Sequence, residues 1–177
     1  MTDFLSIAAD LSADSPDAAL PVEGWHPDHC GMMDLVIKSD GMWIHEGSPI
    51  GRPALIRLFS RVLRKDDDGY VLVTPAEKLT IAVEDVPFLI VDVERDDAGC
   101  LQVRTNVGDM FTIGEAHPIS VRPGPDGTAV PYAIVRGRLE ARFNRTAYYQ
   151  LVEMAEQNGD ELVVHSGSSR FSLGDFQ

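Results

Sequence analysis

A run of residues near the N-terminus carries side chains that could bind a metal ion. His26, Asp28, His29 and Cys30 lie close together in the chain, and His45 could join them in space. Imidazole, carboxylate and thiolate groups are ligands that zinc and other transition metals accept. The first hypothesis is therefore a metal-dependent or hydrolytic enzyme that uses the segment of His26, His29 and Cys30.

Three features of the same run favour a structural role instead. Pro27 stiffens the backbone, and the adjacent side chains of His29 and Cys30 diverge in an extended chain. No second pair of Cys or His residues at zinc spacing follows in the sequence. A loop that anchors the N-terminal segment through Trp25 explains the run without chemistry. We therefore predict no metal and no cofactor, and the enzyme is kept as the alternative hypothesis.

Charge and cysteine usage narrow the range of partners and compartments. The chain of 177 residues has 28 acidic and 15 basic side chains, which gives a formal net charge of −13. This charge repels nucleic-acid backbones and anionic membrane surfaces, so neither is an expected partner. Two distant cysteines make no disulfide framework. A signal peptide begins with basic residues, and no Lys or Arg precedes Lys38. We expect a cytoplasmic protein.

The order of elements in the first half of the chain recurs near the C-terminus. In each case a hairpin precedes a helix and strands follow it, and a shift of 93 residues places Arg52 on Arg145. The same shift superposes the apolar stripes of the two helices, namely Leu55, Leu58, Phe59 and Val62 on Tyr148, Leu151, Val152 and Ala155. We infer a duplicated ββαββ unit, with a period too long for a solenoid.

The duplication predicts both the fold class and the organisation of the chain. The expected fold is α+β, with predominantly antiparallel strands and two packed helices. We divide the chain into an N-terminal acidic arm (1–33), a first ββαββ lobe (34–88), connecting antiparallel hairpins (89–130) and a second ββαββ lobe (131–177).

Seven short motifs together resemble a proteobacterial family of unknown function, domain-of-unknown-function family 1285. They are WHPDHCG at 25–31, EGSPIGR at 46–52, LVTPAEK at 72–78, VEDVPF at 83–88, TNVGD at 105–109, HPI at 117–119 and VRGRLEA at 135–141. The resemblance spans roughly residues 21–176. It implies a small cytoplasmic protein of repeated strand and helix motifs, with kinship to pleckstrin-homology-like barrels and a role in signal transduction. It supplies no catalytic residues.

The motif EGSPIGR precedes the first helix and could present backbone amides to an anion. The Gly-Lys-Ser/Thr ending of a Walker loop is absent from it. The equivalent turn before the second helix, Arg142 to Arg145, contains no glycine, so the strand-to-helix passage alone does not require one. Two interpretations stay open, a local backbone turn and a ligand-binding lobe that specialised after duplication.

These observations favour a binding or regulatory module over an enzyme, and no catalytic residue is assigned. Turns and a helix start in the first lobe could converge on a cleft for a small ligand; the candidate residues are Glu46, Ser48, Arg52, Thr74, Glu77 and Lys78. Arg57, Arg61 and Arg64 have the spacing of one helix face. That face is either a solvated surface or a docking site for an acidic protein or a second copy of the chain.

Overall fold

The computed structural model of this protein describes residues 2–14 and 18–175. The chain divides into two compact units. Unit 1 comprises the residues up to Lys38 together with Met42–Glu84, and unit 2 comprises Ser39–Gly41 together with the residues from Asp85 onward. Strands predominate and one of the sheets is half-barrel-like, so the predicted α+β class is confirmed.

The described residues of unit 1 form two α-helices, a short 3-10 helix at Val22–Gly24 and a six-stranded sheet. The helices are α1 (Thr2–Asp14) and α2 (Pro53–Arg61). The strands are β1 (His29–Ile37), β2 (Trp43–His45), β3 (Ser48–Pro49), β4 (Leu63–Asp66), β5 (Gly69–Val73) and β6 (Glu77–Val83). Their order in the sheet is β3-β2-β1-β6-β5-β4. The central pair, β1 and β6, is parallel and the neighbouring pairs are antiparallel, so the sheet is mixed.

Strand alternation determines which side of β1 faces the core. Leu35 and Ile37 are buried, whereas Cys30 and Met32 on the other face are exposed. The helix α1 contributes a fully buried Phe4 to the core of the unit. Burial of one such large apolar side chain stabilises the fold by roughly 2–3 kcal/mol.

The helix α2 is shorter than its apolar spacing predicts. It ends at Arg61, and the following residues form β4, in which Leu63 pairs with Leu72 of β5. The acidic residues Asp67 and Asp68 therefore close a hairpin between β4 and β5 and do not end the helix. Arg64 lies in this strand, so its predicted position on a helix face is wrong.

Unit 2 contains one helix, α3 (Arg145–Glu153), and two sheets. The six-stranded sheet has the order β10-β11-β12-β7-β8-β9, and its central pair, β12 and β7, is again parallel. Its strands are β7 (Phe88–Arg95), β8 (Leu101–Thr105), β9 (Met110–Thr112), β10 (Ile119–Pro123), β11 (Ala129–Arg136) and β12 (Leu139–Phe143). The other sheet is formed by β13 (Glu156–Asn158), β14 (Glu161–Ser166) and β15 (Ser169–Asp175).

The duplication is confirmed, with a register that differs by one residue from the predicted one. The helices begin at Pro53 and Arg145, and 145 exceeds 53 by 92; β6 and β15 begin at residues 77 and 169, again 92 apart. At this shift the buried Phe59 corresponds to the buried Leu151. The shift of 93 fitted the sequence almost as well because an apolar helix stripe is wide enough to tolerate a slip of one position.

The same register aligns two buried hydroxyl groups. Thr74 and Ser166 are 92 positions apart and are 0% and 3% exposed. The Oγ1 atom of Thr74 accepts hydrogen bonds from the backbone amides of Ala76 and Glu77. The Oγ atom of Ser166 accepts from the amide of Leu101 at 2.8 Å and donates to a backbone carbonyl at 2.6 Å. Each unit therefore uses a buried hydroxyl at this position to bond backbone groups.

We expect Thr74→Val and Ser166→Ala each to lower the free energy of unfolding by about 2 kcal/mol, because each removes two hydrogen bonds of a buried hydroxyl. Urea unfolding of the full chain measures the loss. Thr80→Val, at an exposed position of β6, is the matched control and should change stability by less than about 0.5 kcal/mol. Wild-type stability in both buried variants would contradict the structural role of the hydroxyls.

Candidate functional site

A cavity of about 600 Å³ lies within unit 2. Its apolar lining comes from β7, the β10–β11 loop, β11, β12 and α3, in the form of Leu89, Pro125, Val130, Phe143 and Tyr148. Its polar lining consists of Ser39, Asp40, Asp126, Thr128, Arg142, Asn144 and Arg145, together with the backbone at Gly124. Although polar residues are numerous in the lining, most of the surface that faces the cavity is apolar.

The passage from β12 into α3 forms one wall of the cavity. Asn144 has φ −71° and ψ 174°, and its Oδ1 atom accepts a hydrogen bond of 2.8 Å from the amide of Ala147. This is the arrangement of a helix N-cap, which stabilises the first turn. The amide of Asn144 also donates to the carbonyl of Ile90, so the start of α3 is tied to β7. The wall is therefore built on hydrogen-bonded secondary structure.

Arg142 is held in the wall by two strong contacts. Its Nη1 atom lies 2.5 Å from Oδ2 of Asp85, and its Nη2 atom donates to the backbone carbonyl of Ser39. The side chains of Arg142 and Asp85 are only 15% and 18% exposed. The hydroxyl of Tyr132 donates to the same carboxylate at 3.0 Å. Burial, followed by the contact with Asp85, raises the pKa of Tyr132 above its ordinary value, so this phenol stays protonated and donates.

Two oppositely charged side chains, Asp126 and Arg145, line the polar side of the cavity. The amide of Thr128 donates to Asp126 at 2.9 Å, and this bond holds the pKa of Asp126 below its ordinary value. Arg145 is exposed, and its Nε atom donates to the hydroxyl of Tyr149 at 3.2 Å. Within residues 18–175, no carboxylate forms an ion pair with Arg145. Its positive charge is therefore available to a ligand.

The motif EGSPIGR turns the backbone of a hairpin. Glu46 and Gly47 have φ of 49° and 77°, and they connect His45 of β2 to Ser48 of β3. Positive φ at both central residues is the geometry of a type I′ hairpin turn, for which glycine is favoured. The helix α2 begins five residues later, after Arg52, which makes no side-chain cap. The local-turn interpretation accounts for Gly47.

The six predicted ligand-binding residues fall into two groups in unit 1. One group surrounds β3 and the start of α2, and consists of Glu46, Ser48 and Arg52; the other lies at the β5–β6 turn and the start of β6, and consists of Thr74, Glu77 and Lys78. Strand β1 separates them, since Leu35 pairs with His45 at one level and His29 pairs with Glu77 at another. Six residues of strand correspond to about 20 Å, so the structure does not bring the two groups together.

The second group makes contacts that belong to the fold of unit 1. Thr74 is buried and bonds to the backbone of its own turn. Lys78 lies 3.4 Å from Asp66, and Glu77 lies 3.2 Å from Nε2 of His29.

The three arginines predicted to bind a partner have different environments. Arg57 is exposed on α2. Arg61 donates to the carbonyl of Ala18 at 2.7 Å. Arg64 is buried; its Nη1 atom donates to the carbonyls of Val22 and Trp25, both at 2.7 Å. Two of the three therefore bind the chain's own residues 18–25, which we call the covering segment.

The covering segment packs on the sheet of unit 1. Val22 is buried against Val71 and Val73 of β5, and Leu20 and Trp25 pack against the same cluster. Trp25 thus anchors the N-terminal segment, as the sequence predicts. Arg64 is a structural residue that sequence analysis assigned to a surface.

The histidines and the cysteine near the N-terminus do not converge. His26, His29 and Cys30 are exposed, and the Nδ1 atom of His45 contacts the carbonyl of Asp34 at 2.9 Å. Within residues 2–14 and 18–175, no group of three or more His, Cys, Asp or Glu side chains is arranged to hold a metal ion.

Two family descriptions match consecutive parts of the chain. The DUF1285 N-terminal domain, a domain of unknown function, matches residues 20–86, and the C-terminal domain of DUF1285, a protein of unknown function, matches residues 87–173. The chain belongs to the DUF1285 family. The boundary between these DUF1285 domains lies close to the boundary between units 1 and 2 at Glu84 and Asp85.

Solved DUF1285 structures share the fold. A crystal structure of a family member from Silicibacter pomeroyi DSS-3 at 2.50 Å is 37% identical, with a TM-score of 0.86; the match covers 97% of this chain and 94% of that one. A second, from Shewanella baltica OS155 at 1.40 Å, is 30% identical with a TM-score of 0.55, and covers 68% and 91%. No curated protein matches the chain. The family resemblance is therefore confirmed, and the family description assigns no activity.

No helix in residues 2–14 and 18–175 is both long and apolar enough to cross a membrane.

Proposed function

We propose that this DUF1285 protein is a cytoplasmic binding module of a signalling pathway, and that its ligand is a small molecule bound in the cavity of unit 2. The cavity is the observation that carries the proposal. Its volume of about 600 Å³ falls in the range of small-molecule sites, which are typically apolar with a few placed polar groups. One wall belongs to paired strands and a capped helix, which favours a site that is partly formed before the ligand arrives, and the β10–β11 loop and the turn at Ser39 and Asp40 complete the lining.

The alternative of a metal-dependent or hydrolytic enzyme has less support. His26, His29 and Cys30 are exposed, whereas catalytic acid–base and nucleophilic groups work best where water is excluded. Arg142 of the cavity lining donates to Asp85, and Tyr132 donates to the same carboxylate. A binding role uses this arrangement without further assumptions.

The net charge of −13 supports a module that avoids nucleic acid and anionic membranes. A protein partner with acidic character, or a second copy of the chain, stays a proposal for the exposed side of α2 around Arg57. Because Arg61 and Arg64 hold the covering segment, this surface is smaller than the sequence predicts.

A cavity-filling variant tests the proposal. We expect small aryl and alkyl compounds from a fragment collection to raise the thermal unfolding midpoint of the full chain, because ligands that bind the folded state stabilise it. Val130 lines the cavity, and Val130→Trp should abolish these shifts by occupying the space. Differential scanning fluorimetry measures both effects.

The matched control is Ile134→Trp, which places the same indole at another half-buried position of β11 outside the cavity lining. This control should keep the midpoint shifts that Val130→Trp loses. Compounds that stabilise a folded Val130→Trp protein as much as wild type would contradict the proposed site, and so would a complete lack of binders.

A further inference from the structure

We infer that the ligand is a small monocarboxylate with an aromatic or aliphatic body, and that Arg145 binds its carboxylate. This inference rests on the proposed function, and names the chemical class that the cavity of unit 2 would take. It follows from three features of the lining, namely one arginine with unused donors, two aspartates that limit the negative charge of a ligand, and an apolar wall.

The two arginines of the lining differ in the number of hydrogen-bond donors that are available to a ligand. Both terminal nitrogens of Arg142 already donate hydrogen bonds, one to Asp85 and one to the carbonyl of Ser39. Arg145 uses Nε for the hydroxyl of Tyr149, and its guanidinium lies 5.6 Å from the centre of that ring. Its Nη1 and Nη2 atoms form no hydrogen bond or ion pair with the rest of residues 18–175. These are the two donors that grip a carboxylate side by side.

Arg145 contacts Tyr149 in the absence of a ligand. Tyr149 lies four positions along α3, on the same helix face, so its hydroxyl and ring hold the guanidinium over the first turn. A held arginine loses less side-chain freedom on binding than a free one. Asn144 already occupies the amide of Ala147 at the nearby helix start, and Arg145 supplies the charged donors of the inferred site.

The acidic groups of the lining favour a ligand with one negative charge. Asp40 and Asp126 line the same cavity as Arg145, and the charge of Arg142 is already paired with Asp85. The bond from Thr128 keeps the pKa of Asp126 low, so this carboxylate stays charged at neutral pH. A phosphate that carries close to two negative charges would meet this repulsion with one available arginine. A carboxylate meets less of it.

The remaining lining selects the body of the ligand. Leu89, Val130, Phe143 and the ring of Tyr148 form the apolar part of the cavity. Each methylene that such walls remove from water favours binding by roughly 0.8 kcal/mol. An aryl or branched alkyl group therefore suits this wall, with its carboxylate at Arg145.

Three compounds with the same arylalkyl body test the inference: a carboxylate, its primary amide and its phosphonate. We expect isothermal titration of the full chain to show the carboxylate binding about tenfold more tightly than the amide. Arg145→Gln should remove this tenfold preference and leave the amide affinity unchanged, and Arg145→Lys should restore part of it. Arg57→Gln removes an exposed arginine from the other helix and should change neither affinity.

Each outcome decides between the inference and the proposed function. Equal affinities of the carboxylate and the amide in wild type would overturn the inference and leave the proposed function standing. Tighter binding of the phosphonate would overturn the monocarboxylate class. A preference for the carboxylate that persists in Arg145→Gln would remove Arg145 from the site. If none of the three compounds binds, the inference fails, and if no fragment binds either, the proposed function fails with it.

Discussion

Arg64→Met lowers the free energy of unfolding by about 3 kcal/mol and frees the covering segment, which is the largest single effect expected in unit 1. The guanidinium of Arg64 is 6% exposed and lies 2.6 Å from Asp66. It also donates to the carbonyls of Val22 and Trp25. Methionine fills similar space but removes the guanidinium donors from Asp66 and from the carbonyls of Val22 and Trp25. Urea unfolding measures the loss, and hydrogen exchange measures the release of residues 18–25.

Arg57→Met is the matched control, because it removes an arginine of the same unit that is exposed on α2. A change below about 0.5 kcal/mol is expected there. If Arg64→Met is as stable as this control, or if exchange at Val22 and Trp25 stays as slow as in wild type, Arg64 does not hold the covering segment.

The same contact gives the stability of unit 1 a definite pH dependence. The hydrogen bond from Arg64 is the main cause of a pKa of Asp66 below its ordinary value. The carboxylate of Asp66 therefore binds a proton more tightly in the unfolded chain than in the folded chain. The stabilisation is present above the ordinary pKa of about 4 and is lost as the pH falls through the lower folded value. The stability gap between wild type and Arg64→Met should shrink in that acid range.

Arg142→Gln has a comparable effect in unit 2, where we expect the free energy of unfolding to fall by about 3 kcal/mol. We also expect the cavity wall to change its shape. The side chain bridges Asp85 and the carbonyl of Ser39, both at 2.5 Å. Glutamine cannot span both, and the carboxylate of Asp85 keeps only the hydroxyl of Tyr132. Urea unfolding of Arg142→Gln, Asp85→Asn and the double variant gives the coupling energy of the pair.

The pair of Arg170 and Glu161 is the matched control, since its separation is also 2.5 Å but its side chains are 46% and 32% exposed. Arg170→Gln should lower stability by less than about 1 kcal/mol, because water screens an exposed pair. A coupling energy for Arg142 and Asp85 no larger than that of the exposed pair would contradict the structural role of Arg142.

Local pattern predicted a large share of the fold. The hairpin of β1 and β2 and the start of α2 at Pro53 follow from alternation and from proline at a first helical position. The end of α2 could not be read in the same way. Leu63 continues the apolar spacing of the helix, yet it pairs with Leu72 of β5. A contact between strands overrode the local pattern, and it moved Arg64 from a surface into the core.

The candidate site could not be predicted from the spacing of residues in the sequence. Asp85, Tyr132 and Arg142 come from three separate stretches, and only the pairing of β11 with β12 brings the last two side by side. An arginine between the apolar residues Ala141 and Phe143 reads in sequence as the solvent side of a strand. The functional prediction was placed in the first lobe because its glycines suggested an anion site. The structure shows that Gly47 forms part of a type I′ turn.

The most direct measurement of ligand binding in unit 2 is an amide NMR titration of the isotope-labelled full chain with the arylalkyl carboxylate. We predict that the largest shifts cluster at the cavity lining, at Leu89, Gly124, Thr128 and Tyr148. The amides of the first predicted site, at Glu46, Ser48 and Arg52, should stay in place. The largest shifts at those three residues, with none around the cavity, would show that the ligand site lies in unit 1 and that the cavity has been misassigned.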